Sequence, residues 1–316
     1  MISIARNRAF TLIELVVAMG LSILLSSVII ALYTQIGKNF RFDERYALMQ
    51  ENGRYALQTI GADLSMADFW GRVIATDTVS STITPSANTC ESSVSLFEAE
   101  VGLLINNYHP ATPTLQFTPC TTVADVHKAG TSMVVIKRVA GRTTDLADLA
   151  TGTVYLRTNG ITAQLLDTLD PTTPPGTGKT DWQYQPSWYF IRDFYDFAAD
   201  ETPSLCRMRL SGSTFADPQC LAEGIQDLHV EFGIDTDADG YANQYLSTPT
   251  QAETADAVTA RIFVLARSVD PVPNYVNDKT YSIGDLSYGP FNDAFLRRIY
   301  SSTVVLRNIV GRALIN

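Results

Sequence analysis

Residues 235–240 are the stretch of this sequence whose residue types and spacing most directly suggest chemistry. Asp235, Asp237 and Asp239 alternate along it and a glycine follows, which matches the first half of an EF-hand calcium loop. The position that needs a bidentate Glu holds Leu246, so a complete EF-hand is excluded. Two interpretations stay open. The segment is either a solvated hairpin connection, for which Asp-Gly is a common signal, or a looser calcium site completed by oxygen atoms from elsewhere.

A second motif, at residues 173–180, reads TPPGTGKT and differs by one residue from a phosphate-binding loop. A working loop of that kind needs Gly in place of Thr173 and a helix opening directly after the motif. Pro186 would break such a helix. The sequence therefore predicts that residues 171–181 form a Pro- and Gly-rich surface loop without nucleotide-binding activity.

Residues 10–33 form an apolar segment that is long enough to cross a membrane. As a helix it would be about 36 Å long, and Glu14 is its only charged residue. The apolar run is longer than that of a cleaved secretory signal, and no small-residue cleavage site for such a signal follows it. Arg6 and Arg8 precede the segment, which favours a cytoplasmic N-terminus, although cations after the segment weaken this bias. We predict a single-pass membrane anchor.

Glu14 needs an explanation of its own. A carboxylate inside an apolar span costs about 2.5–3.5 kcal/mol on membrane-insertion scales, so it should have a partner. From this residue alone two interpretations are open. The side chain either reaches the nearby cytoplasmic interface or has a function within the membrane.

The residues around Glu14 closely resemble the processing site of type IV pilins, since residues 9–14 read AFTLIE. The resemblance implies that a prepilin peptidase cleaves between Ala9 and Phe10, that the new amino terminus of Phe10 is methylated, and that Glu14 is retained. An amino terminus on a neighbouring subunit could neutralise this carboxylate, so charge pairing would set the register of assembly. The family usually has Gly before the cleaved bond. Ala9 is the next smallest residue, so we still expect processing.

The hydrophobic pattern predicts an α+β fold. Residues 1–9 are a basic leader, residues 10–66 are one long helix that becomes amphipathic after the membrane span, and residues 67–316 are an exported β-rich globular domain. The resemblance likewise implies a pilin-like fold, in which a long N-terminal helix packs on a large antiparallel sheet. The predicted strands are residues 134–139, 153–158, 188–194, 206–210, 228–234, 261–268 and 303–308.

The four cysteines, Cys90, Cys120, Cys206 and Cys220, all follow the membrane segment. Export into an oxidising compartment makes disulfides the expected state, and four cysteines allow three connectivities. We favour Cys90–Cys120 with Cys206–Cys220, because each pair flanks loop sequence that contains proline. A cysteine- or histidine-based metal site is not predicted, because the sequence has no C-x-x-C and its histidines have no ligand spacing to one another.

Composition narrows the classes of function. The chain has 316 residues, 46% of them hydrophobic, and a formal net charge of −10, so nucleic-acid binding is not predicted. An exported, membrane-tethered enzyme would need a nucleophile or metal motif, and neither G-x-S-x-G nor H-E-x-x-H occurs. No cofactor is expected beyond calcium at Asp235, Asp237 and Asp239, which would make the chain a calcium-responsive binding module.

The Asp-rich loop after an apolar strand, the chain length and the strand at residues 261–268 together resemble the PilW-type minor pilins. This resemblance implies a non-enzymatic minor pilin that helps to initiate assembly of a type IV pilus and is incorporated into it, with a place at the tip. The implied partners are other minor pilins, the major pilin, prepilin peptidase and the inner membrane. The implied location is the inner membrane, with the C-terminal domain in the periplasm, and then the pilus fibre. The alternative is a minor pseudopilin of a type II secretion system.

Overall fold

The computed structural model of this chain describes residues 11–73, 78–83, 97, 103–106, 127–167, 169, 175–212 and 214–313. Its helices are α1 (Leu12–Ser65), α2 (Gln251–Ala255) and α3 (Arg307–Ala313). Its strands are β1 (Val79–Ser81), β2 (Leu103–Asn106), β3 (Met133–Ile136), β4 (Tyr155–Thr158), β5 (Ala163–Leu166), β6 (Thr180–Gln183), β7 (Ser187–Arg192), β8 (Ser204–Ser211), β9 (Thr214–Phe215), β10 (Gln219–Glu223), β11 (Ile225–Ile234), β12 (Gln244–Leu246), β13 (Ala257–Arg267), β14 (Tyr281–Ile283), β15 (Leu286–Tyr288) and β16 (Arg297–Val305).

The chain divides into two compact units, Met1–Ala47 and Leu48–Asn316, and α1 contributes to both. In the first unit α1 is almost entirely apolar from Leu12 to Tyr33, and polar and charged residues become frequent after that. The hydroxyl groups of Ser22, Ser27 and Thr34 donate hydrogen bonds to backbone carbonyls of the preceding turn, at 2.7–2.9 Å. These polar side chains are therefore satisfied within the helix, as an apolar surrounding requires.

In the second unit one face of α1 is buried at roughly helical spacing, which is the pattern of an amphipathic helix on a sheet. Small residues on that face allow close approach. An added Cβ at Gly61 would lie 3.4 Å from Val304 of β16 and 3.8 Å from Ile262 of β13. The buried residues of α1 are Met49, Gly53, Ala56, Ile60, Gly61, Asp63 and Leu64.

The β structure is divided among several sheets. The described strands form sheets with the orders β1-β5-β4-β6, β10-β8-β7-β3-β2 and β12-β11-β13-β16, and β14 pairs with β15 in a hairpin. Pairing is antiparallel except between β1 and β5. The predicted α+β fold, with a long N-terminal helix followed by antiparallel β structure, is confirmed. The finding differs from the prediction in that no single large sheet holds all the described strands.

Two predicted boundaries are corrected by long-range pairing. The strand expected at residues 303–308 is β16, which begins earlier, at Arg297, because it pairs with β13 along its whole length. It ends at Val305, because α3 begins at Arg307. In the loop expected at 171–181, Thr180 and Asp181 instead lie in β6, where Arg157 of β4 donates two hydrogen bonds to the Asp181 carboxylate at 2.7 and 2.8 Å. Residues 176–179 form a turn in which Lys179 N donates to the carbonyl of Gly176 at 2.9 Å, and residues 171–174 lie outside the described part of the chain.

Candidate functional site

The N-terminus of α1 holds Glu14 in a capping box. Glu14 Oε2 accepts hydrogen bonds from the backbone N–H and the hydroxyl of Thr11, both at 2.9 Å. The backbone N–H of Glu14 donates to Thr11 Oγ1 at 3.3 Å. Thr-x-x-Glu before an apolar run is the sequence signature of this cap, so residues 11–14 alone could have predicted it, although it is not among the predictions above. The carboxylate therefore satisfies the backbone N–H of Thr11 and lies at the positive end of the helix dipole.

The predicted processing site adjoins this cap, but Ala9 and Phe10 lie outside the described residues. Following the cap, every large apolar side chain between Leu12 and Leu32 is more than half exposed, from 54% at Val17 to 81% at Leu12. The helix is long and apolar enough to cross a membrane. An apolar surface of this extent needs lipid or protein to cover it.

A disulfide joins Cys206 of β8 to Cys220 of β10. These strands are neighbours and the two residues face each other in the register, with their Cα atoms 3.9 Å apart. The predicted pairing of these two cysteines is confirmed. The other predicted pair, Cys90 and Cys120, lies outside the described residues and stays a prediction.

The Asp-rich segment connects β11 to β12, and these two strands pair antiparallel as a hairpin, which is compatible with both interpretations of the segment. Asp235 Oδ2 accepts a hydrogen bond from Gly240 N at 2.7 Å, and its Oδ1 accepts one from Asp237 N at 3.2 Å. Desolvation opposes ionisation of Asp235, but these backbone donors outweigh it and hold the pKa of its carboxyl below the usual value. One carboxylate oxygen from each of Asp235, Asp237 and Asp239 lies within 4.8 Å of the others. The structure thus brings the three predicted ligands together.

A second group of metal-ligating residue types was not predicted. His229 and Glu231 of β11 meet Asp285 of the β14–β15 turn, and one ligand atom from each lies within 4.8 Å of the others. His-x-Glu within the predicted strand at 228–234 is a usable signal, because alternate residues of a strand share a face. The contribution of Asp285 depends on the β14–β15 hairpin, which is not among the predicted strands.

The described chain is thus an α+β protein whose N-terminal helix is of membrane length. Residues 188–308 match the family model described as PilW, Type IV Pilus-assembly protein W, and this confirms the predicted resemblance to PilW-type proteins over that segment. No curated protein matches the chain. Among solved structures, a type IV-like pilin from Thermus thermophilus is similar, with a TM-score of 0.35 and 10% identity over 85% of this chain and 98% of that chain.

Proposed function

We propose that this protein is a minor pilin that takes part in initiating a type IV pilus and is incorporated into it, at or near the tip. The observation that carries the proposal is the match of residues 188–308 to the Type IV Pilus-assembly protein W family, in a chain that also has an exposed, membrane-length helix. Its partners are then the other minor pilins and the major pilin. The role is structural, with no catalytic step.

The proposed route begins with insertion of α1 into the inner membrane, with the N-terminus in the cytoplasm and residues 67–316 in the periplasm. The Cys206–Cys220 disulfide supports this orientation, because structural disulfides persist in oxidising compartments such as the periplasm. Prepilin peptidase then removes residues 1–9, and the amino terminus of Phe10 is methylated. The apolar surface of α1 passes from lipid to the helices of neighbouring subunits.

Glu14 is proposed to set the register of that assembly. Its capping bonds with Thr11 satisfy backbone donors but leave its net charge, which is costly in an apolar surrounding. The amino terminus of an adjacent subunit would supply the opposite charge. A variant that keeps the cap and removes the charge therefore separates the two roles of this side chain.

Glu14→Gln is that variant, because Gln also serves at this position of a capping box. We expect it to abolish or strongly reduce piliation, measured by electron microscopy and by recovery of sheared filaments. Thr11→Ala is the matched control: it removes the capping hydroxyl and keeps the carboxylate, so it should assemble. Normal piliation by Glu14→Gln would overturn the charge-pairing proposal.

Processing is tested by intact-mass measurement on protein isolated from its own cells. The expected species lacks residues 1–9 and carries one methyl group. A full-length species that never enters filaments would overturn the proposal. A minor pseudopilin would show the same processing, so a deletion strain separates the two: loss of pili indicates the pilus, and loss of protein secretion indicates the type II system.

Calcium binding by Asp235, Asp237 and Asp239 stays a prediction. The convergence of the three carboxylates supports it, although both oxygens of Asp235 already accept backbone hydrogen bonds. Calorimetry of the full chain in detergent should show calcium binding that Asp237→Asn weakens and that Asp217→Asn, at another exposed position, leaves unchanged. If titration of the unsubstituted protein with calcium gives no heat of binding, the segment is a solvated hairpin.

A further inference from the structure

Strand β11 carries a row of buried polar side chains on one of its faces. Asp227, His229 and Glu231 alternate along the strand and are 3%, 1% and 8% exposed. The intervening apolar side chains point to the other face, since successive residues of a strand alternate. Burying a carboxylate and an imidazole side by side is unfavourable unless each has a partner of suitable chemistry.

The β14–β15 hairpin covers this polar row and brings a third carboxylate to it. Asp285 lies in the turn between the two strands, with Oδ1 3.3 Å from His229 Nε2. Gly284 precedes it with a φ of +59°, and a Cβ there would overlap Glu231 Oε1 and lie 3.0 Å from His229 Cδ2. The hairpin backbone can approach the two β11 side chains this closely only because residue 284 has no side chain.

Neighbouring side chains orient the two carboxylates. The hydroxyl of Ser247, next to the end of β12, donates a 2.7 Å hydrogen bond to Asp285 Oδ2, which leaves Oδ1 on the side of His229. Arg261 of β13 lies 3.5 Å from Glu231 Oε2, while Oε1 faces Gly284. Outer contacts of this kind fix the direction of ligand oxygens at metal sites.

We propose that His229, Glu231 and Asp285 bind a divalent transition-metal ion of the zinc class. One imidazole nitrogen with two carboxylate oxygens is a ligand set that suits zinc, whereas calcium takes oxygen ligands alone. One ligand atom of each residue already lies within 4.8 Å of the others. Asp285 is 46% exposed, so an ion reaches the group from the hairpin side. The bound ion fastens the β14–β15 hairpin to β11.

The test uses the full chain in detergent after removal of metal with a chelator. Zn²⁺ binding is measured by calorimetry, and Co²⁺ binding by its visible absorption, which reports nitrogen and oxygen ligation. Asp285→Asn and His229→Gln should each weaken Zn²⁺ binding by about tenfold or more. Asp278→Asn is the matched control, since it makes the same charge change at an exposed position before the hairpin and should bind like the unsubstituted protein.

Asp237→Asn tests whether Zn²⁺ binds instead at Asp235, Asp237 and Asp239, and this variant should leave Zn²⁺ binding intact. Asp285 is on an exposed turn, so its variant tests the proposal even if His229→Gln does not fold. Zn²⁺ should also raise the melting temperature of the unsubstituted protein and not that of Asp285→Asn. Any of three results would overturn the proposal: the unsubstituted protein does not bind Zn²⁺, Asp285→Asn and Asp278→Asn bind Zn²⁺ equally, or Asp237→Asn loses Zn²⁺ binding. A stability loss in Asp285→Asn that is the same with and without Zn²⁺ would instead identify a simple His–Asp ion pair.

Discussion

The hydroxyl of Tyr189 in β7 donates a 2.6 Å hydrogen bond to Asp63 Oδ2, which joins the last turns of α1 to the β10-β8-β7-β3-β2 sheet. Arg138 Nη2 donates to the other oxygen of Asp63 at 2.8 Å. Burial opposes ionisation of Asp63, but the hydrogen bonds from Tyr189 and Arg138 outweigh it and lower the pKa of its carboxyl. An ionised carboxylate is therefore held between helix and sheet, where it connects two parts of the fold.

Asp63→Asn should lower the free energy of unfolding by about 3 kcal/mol, because Arg138, whose side chain is 13% exposed, would keep a largely desolvated charge without its counter-charge. The measurement is urea unfolding of the full chain in detergent, followed by tryptophan fluorescence. All three tryptophans, Trp70, Trp182 and Trp188, lie in the unit Leu48–Asn316, so the signal reports on that unit.

Tyr189→Phe is the control for this pair, since it removes the hydrogen bond to Asp63 without removing a charge, and should lose only about 1 kcal/mol. Because the pKa of Asp63 is lowered by folding, its contribution is present above the unfolded pKa of about 3.9 and is lost as the pH falls through the folded value. The difference between Asp63→Asn and the unsubstituted protein should therefore shrink in acid. Equal losses in the two variants at neutral pH would contradict the role of the charge.

Asp227 should make stability depend on pH in the opposite sense. Burial raises the pKa of its carboxyl to about 6, even though the backbone N–H of Leu228 donates to it at 2.8 Å. The folded protein then holds a proton that the unfolded chain releases above about pH 4, so stability falls as the pH rises from about 4 to about 6. The expected decrease is at most about 3 kcal/mol, from roughly two pKa units at 1.36 kcal/mol each.

Asp227→Asn is the variant that isolates this effect, because the amide does not ionise and its oxygen can still accept from Leu228. Urea unfolding at about pH 4.5 and pH 7.5 should show a smaller decrease in the variant than in the unsubstituted protein. An identical pH dependence would show that Asp227 titrates at its ordinary pKa in the folded protein.

Features set by local pattern were predictable, and features set by pairing between distant segments were not. The length of α1 and the strands β7, β8, β11 and β13 follow from the periodicity of their own residues. The parallel pairing of β1 with β5 joins segments more than eighty residues apart, as its register Val79–Ala163 shows, and no local pattern specifies it.

The same distinction holds for the candidate sites. Asp235, Asp237 and Asp239 are close in sequence, so their convergence could be predicted from spacing. Asp285 reaches His229 only because the β14–β15 hairpin folds over β11. The partner of a buried polar residue is therefore the feature that sequence reasoning most easily misses, and a His-x-Glu pair on a strand indicates where to look for one.

Gly53 is a further case, since the sequence indicates only a tolerated glycine within a helix. In the structure a Cβ at Gly53 would lie 2.5 Å from Cδ2 and 2.7 Å from Cε2 of the Tyr300 ring in β16. Gly53→Leu should therefore lower the free energy of unfolding by about 2 kcal/mol through overpacking, although Leu has the higher helix propensity. Combining it with Tyr300→Ala should recover part of the loss in the same urea assay. Additive losses would show that the two residues do not contact each other.

The Cys206–Cys220 disulfide should stabilise the unit Leu48–Asn316 by closing a short loop. The two cysteines are separated by 14 residues, and the loop-entropy model gives about 3 kcal/mol for a loop of that length. A Cys206→Ala, Cys220→Ala double variant should lose this amount in urea unfolding under non-reducing conditions. The double variant is a cleaner test than a reductant, because Cys206 is fully buried and a reductant would also act on any disulfide at Cys90 or Cys120. The loop-entropy account requires that the double variant is folded without urea and unfolds at a lower urea midpoint. A variant whose tryptophan fluorescence already equals that of the unfolded chain without urea would contradict this account. It would show instead that the native strands cannot pair without the disulfide.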